Sequence, residues 1–125
     1  MPKRNVSPMY TCIYIFRVKK KNVDEFLSIQ QDAAKIYLDH GAILDETYRA
    51  SNMTAKYGCV AFSDAMDVDE NEEVLVSLSG FQNQAHHKNT MHKVNSDPRI
   101  LELFDKATKV IALNRTVYGE FDLIE

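Results

Sequence analysis

The sequence predicts an α+β domain whose elements run strand, helix, strand, strand, helix, strand, the ferredoxin-like order built on an antiparallel sheet. Three observations carry that expectation. Apolar residues alternate with period two from Tyr10 to Val18. A stripe with helical spacing follows from Val23 to Leu38. A second alternating run from Val74 to Phe81 then leads into another helical stretch.

In the first strand Tyr10, Cys12, Tyr14, Phe16 and Val18 share one face, because successive side chains alternate across a strand. Ile13 and Ile15 occupy the other, so both faces are apolar. Asn22 is expected to open the first helix, with Glu25 completing a capping box. Val23, Phe26, Leu27, Gln30, Ala33, Ala34, Tyr37 and Leu38 form the helix stripe. Gly41 ends it, since glycine adopts the left-handed conformation without steric cost.

A second strand is expected from Ala42 to about Ala50. Residues 51–73 read as an elaborated acidic loop with a short strand at Cys59–Phe62. In the third strand Val74, Val76 and Leu78 share one face and Leu75, Ser77 and Ser79 the other. Asn83 is placed as the cap of a second helix reaching about Asn95. Asp97-Pro98 starts a third, with proline at the first position, where a missing amide costs nothing. A last extended region is expected from Lys109 to Phe121, with a break near Asn114-Arg115 left open.

Two helices cover one face of a four-stranded sheet. The other face, assigned Ile13, Ile15 and Leu75, must be buried against something. A second copy packed sheet to sheet by a two-fold axis is the simplest cover. The alternative is that the segment 51–73 folds over it.

A chain of 125 residues, 45% hydrophobic and 26% charged, has the size and composition of one globular domain. Residues 1–9 read as an N-terminal extension to it. A net charge of -3 argues against a nucleic-acid binder, which carries a basic stripe. No run approaches ~18 apolar residues and no signal core follows the N-terminus, so a cytoplasmic protein without membrane contact is expected. Two cysteines do not make a disulfide scaffold.

Several motifs fail on geometry. His86, His87 and His92 fall about 120° apart around one helix at ~100° per residue, so they cannot converge on a metal. Asp67-x-Asp69-x-Asn71 begins like a calcium loop, but Glu72 stands where glycine is needed and Leu78 where the bidentate glutamate belongs. No cofactor and no metal is expected.

Other residues remain as ligand-binding candidates, with no catalytic residue assigned. His86 lies in the first turn of its helix, where the dipole favours neutral imidazole; His40 lies at a helix C-terminus, where it favours the charged form. Each reads first as a helix-end residue with one local bond and only second as a pocket residue. Tyr14, Tyr48 and Tyr118 fall on strands, where an aromatic ring with a polar tip suits either a small-molecule cavity or a core.

Three segments carry a family resemblance: Asp39-His40-Gly41-Ala42, then Ala85-His86 leading to Asn95-Ser96-Asp97-Pro98-Arg99, and Val117-Tyr118-Gly119-Glu120-Phe121. Together they resemble the YbaA-like family, a domain of unknown function (DUF1428) in the dimeric α/β-barrel superfamily. The chain departs from that pattern in having no tryptophan and in carrying Gly119-Glu120 where the family has two glycines. The resemblance implies a ferredoxin-like homodimer forming a dimeric α/β barrel, and no particular activity. The superfamily includes cofactor-free oxygenases, haem-degrading enzymes, isomerases and stress proteins. Two functions are therefore expected as alternatives. One is a small-molecule-binding domain, acting as a cofactor-independent oxygenase or isomerase on an aromatic or apolar substrate. The other is a non-enzymatic stress-related or protein-interaction module.

Overall fold

The computed structural model describes residues 8–124, so the N-terminal extension lies mostly outside the described residues. Strand β1 (Tyr10–Lys19) passes through one 3-10 turn into helix α1 (Val23–Asp39). Strand β2 (Leu44–Arg49), the short helix α2 (Phe62–Ala65) and strand β3 (Glu72–Phe81) follow. Helices α3 (Gln84–Asn95) and α4 (Pro98–Ala107) precede strand β4 (Val117–Asp122). The sheet order is β2-β3-β1-β4 and every neighbouring pair is antiparallel. This is the ferredoxin-like arrangement, with α4 added to the helical layer.

The caps of the later helices are those the residue types demand. Asn83, in extended conformation, accepts from the His86 amide at 2.8 Å; Asp97 accepts from the Arg99 amide at 3.0 Å, with Pro98 at the first helical position. Gly41 takes φ +109° beyond α1. Asn22 does not cap α1. It belongs to the 3-10 turn Lys20–Asn22 and already has near-helical angles, which turn its side chain away from the free amides.

Phe16, Val18, Val23, Phe26 and Leu75 form one buried cluster between sheet and helices. Ile29, Ile36, Val94 and Leu103 form another that joins α1, α3 and α4. Leu75 pairs with Phe16 and is fully buried on this inner face, which corrects its expected place on the outer one. Strand side alternates, so Val76 and Leu78 are the residues that stand outside with Ile13 and Ile15.

Two extended segments are absent. Residues 109–116 continue as turns because Val110 and Ile111 pack into the core beneath α4 instead of entering the sheet. Cys59–Phe62 is no strand: Tyr57 and Gly58 both have positive φ, and the chain then coils into α2. The loop is tied down at one end. Arg17 donates to the Met66 and Arg115 carbonyls, and Arg115 pairs with the buried Glu72 at 2.7 Å. It covers that end of the outer face, where Val74 is buried. Tyr48, Val117 and Phe121 remain about half exposed at 48%, 47% and 54%.

Candidate functional site

The inner face of the sheet is more polar than a sheet covered by helices requires. Asp45, Ser79, Cys12 and Glu120 lie side by side across β2, β3, β1 and β4. The next row is Thr47, Ser77, Tyr14 and Tyr118. The small side chains of Ser79 and Cys12 in the first row and of Ser77 in the second leave room below the helices, and a cavity of about 330 Å3 fills it. That is the size of a small ligand site. Phe26, Ile29 and Ala33 of α1 and Leu103 of α4 supply its apolar walls; Leu101 and Phe104, both exposed, stand at its edge.

The polar groups of the wall are organised in two sets. Ser77 Oγ bonds Gln30 Nε2 and Thr47 Oγ1, each at 2.7 Å from a partner, so α1 is tied to β3 and β2. Ser79 Oγ donates to Asp45 Oδ2 at 2.7 Å. Burial pushes the Asp45 carboxyl up to about 6, against the hydrogen bond from Ser79, with the Glu46 charge adding to the rise. Asp45 has no cationic partner among the described residues, and no lysine, arginine or histidine lines the cavity.

Of the residues singled out from sequence, Tyr14 lines this cavity. Tyr118 faces it across β1–β4, with ring centroids 4.5 Å apart, and borders a small adjoining recess with Cys12 and His87. The Tyr118 hydroxyl donates to Glu120 Oε2 at 2.6 Å; Tyr10 donates to the other carboxylate oxygen. Burial pushes the Cys12 thiol up, which disfavours a nucleophilic thiolate.

The remaining three stand elsewhere. Tyr48 is on the outer face of β2 and bonds Glu46 there. His40 Nε2 meets Asp97 Oδ2 at 2.9 Å, joining the end of α1 to the cap of α4. His86 Nδ1 accepts from the Gln82 amide at 2.9 Å, which places the proton of a neutral ring on Nε2, beside Gly41. The candidates thus divide into Tyr14 in the cavity wall, Tyr118 beside it at the adjoining recess, and three residues away from both. Among the described residues no group of His, Cys, Asp and Glu is placed to hold a metal ion.

Sequence reasoning passed over Asp45, Ser77, Ser79 and Gln30. The available signal was two serines on the same face of β3 as Leu75 and Phe81, where a packed core calls for apolar residues.

Comparison with known proteins follows the same division between clear fold and unassigned site. The family model described as "Protein of unknown function (DUF1428)" matches residues 9–110. No curated protein matches the chain. Among solved structures, a dimeric ferredoxin-like protein from an uncultured marine organism superposes with TM-score 0.64 at 7% identity, covering 95% of this chain and 90% of that one. An uncharacterized NIPSNAP domain protein from Burkholderia xenovorans gives TM-score 0.57 at 14% identity, covering 93% and 95%. A variant of SnoaB, a cofactor-independent oxygenase from Streptomyces nogalater, gives 0.56 at 13%, covering 93% of each. At these identities the likeness is one of fold.

Proposed function

The chain belongs to the DUF1428 family, and we propose that it is a homodimer in which each protomer binds an apolar or aromatic small molecule between sheet and helices. The observation that carries the binding role is the cavity of about 330 Å3, with apolar walls and a single carboxylate, Asp45. Sites for small organic molecules combine largely apolar walls with a few placed polar groups.

The outer face of the sheet supports the homodimer. Ile13, Ile15, Val76 and Leu78 form its centre, flanked by the exposed Val117 and Phe121. An apolar face of this kind is expected to be covered. The described likeness to a dimeric ferredoxin-like protein points the same way.

Within this reading the chain acts as a cofactor-independent isomerase or oxygenase. Asp45 is the wall group whose carboxyl titrates near neutrality, and so it can take up and return a ligand proton. For an isomerisation the C–H bond breaks toward Asp45, the electron pair is delocalised over the ligand, and the proton returns at a second carbon. SnoaB is described as a cofactor-independent oxygenase, which keeps the second activity in view for this fold.

The test is ligand-observed NMR with naphthylmethanol, comparing the native protein with Ala33→Phe, which fills the cavity. Saturable binding by the native protein and its loss in the variant are expected. Absence of binding at millimolar probe, or equal binding by Ala33→Phe, would remove the cavity from consideration.

A further inference from the structure

We infer that the cavity is built for an organic cation, an amine on an aromatic or apolar body, whose ammonium group pairs with Asp45. The inference rests on the small-molecule reading above and specifies the ligand's charge.

Two other carboxylates that sit against the body of the protein have cationic partners: Glu72 has Arg115, and Asp97 has Arg99 and His40. Asp45 faces the cavity with only the Ser79 hydroxyl as a hydrogen-bond partner among the described residues. A carboxylate removed from water without a countercharge is costly, and a cation entering the same space offsets that cost. An anionic ligand would add a second negative charge with no basic residue in the wall to meet it.

The other wall groups suit the same ligand. An ammonium group brings three donors and no acceptor. Oδ1 of Asp45 accepts no hydrogen bond among the described residues, and neither do the hydroxyls of Tyr14 and Tyr37, which line the same cavity. The rings of Tyr14, Phe16, Phe26 and Tyr37 line the space, and aromatic rings suit a cation as well as an apolar body. Ser77, Thr47 and Gln30 satisfy one another, so they offer little to an anion.

The test uses three probes on one skeleton: naphthylmethylamine, naphthylmethanol and naphthoate. Dissociation constants are measured by isothermal titration calorimetry at pH 7.5 with the native protein, Asp45→Asn and Asp45→Glu. The native protein should bind the amine about tenfold more tightly than the alcohol, the size of effect expected when a hydrogen bond gains a charge. The carboxylate should bind most weakly. Asp45→Asn should bring amine and alcohol to within about threefold, with circular dichroism and a cooperative thermal melt reporting that the variant is folded. Asp45→Glu should retain a preference for the amine. If the alcohol binds and the amine binds no better, or if the preference survives Asp45→Asn, the cation assignment fails and the cavity reading stands. If none of the probes binds the native protein, both fail.

Discussion

Asp45 and Ser79 stand directly opposite one another on β2 and β3, and the serine hydroxyl holds one oxygen of a carboxylate that the helices shield from water. The pair sets a pH dependence. The unfolded chain releases the Asp45 proton in the ordinary aspartate range near pH ~4. The folded protein holds it to about 6. Between those values the folded state binds more protons, so stability falls as pH rises and levels off near neutrality, about 2–3 kcal/mol lower. Asp45→Asn should abolish this slope, melting higher than the native protein at pH 8 and no higher at pH 4. Parallel thermal melts across that range check it; a constant offset between the two would contradict the burial argument.

At the acid end the sign reverses. Arg99, and after it His40, hold the Asp97 carboxyl well below the usual range. A depressed carboxylate stabilises the fold above its unfolded pKa, and this is lost as the pH drops below about 4. Asp97→Ala should therefore lower the melting temperature at pH 7 and narrow its gap to the native protein at pH 2. His40→Ala should weaken the same tether while leaving naphthylmethanol binding unchanged, because His40 does not line the cavity.

Ile15 lies at the centre of the outer face, opposite Val76 on one side and Val117 on the other. In a sheet-to-sheet dimer, Ile15→Asp buries a carboxylate without a partner. The dissociation constant should rise by at least about 100-fold. Sedimentation equilibrium would detect it, with circular dichroism confirming that the protomer remains folded. A native protein that sediments as a monomer at all concentrations would exclude the dimer directly.

Leu75 and Leu78 separate the two faces energetically. Leu75 is fully buried against Phe16 and Phe26, so Leu75→Ala should cost about 3 kcal/mol in urea unfolding. Leu78 is only partly covered in the protomer. Leu78→Ala should cost less, about 1 kcal/mol, when dimerisation is suppressed by Ile15→Asp. Equal costs would mean that the two sides of β3 are packed alike.

The elements were legible where local chemistry decides them. The alternation of β1, the Asn83 and Asp97 caps and the glycine after α1 all act within a few residues of chain. Residues 109–116 misled because an apolar pair such as Val110-Ile111 satisfies a strand pattern and a core plug equally well. The site was less visible. Asp45 reaches Ser79 only through the β2–β3 register, 34 residues apart in sequence, and no local pattern encodes that pairing. Tyr48 illustrates the same dependence, since its strand position alone left open which side of the sheet it would face.

Alternation along β1 and β3 has a consequence for how such a protein diversifies. The residues of the cavity wall, Tyr14, Ser77 and Ser79, are interleaved with those of the outer face, Ile13, Ile15, Val76 and Leu78. Each substitution therefore meets one selective demand and leaves the other untouched. Changes at every second position can remodel the cavity wall, while the intervening positions leave the outer face as it was.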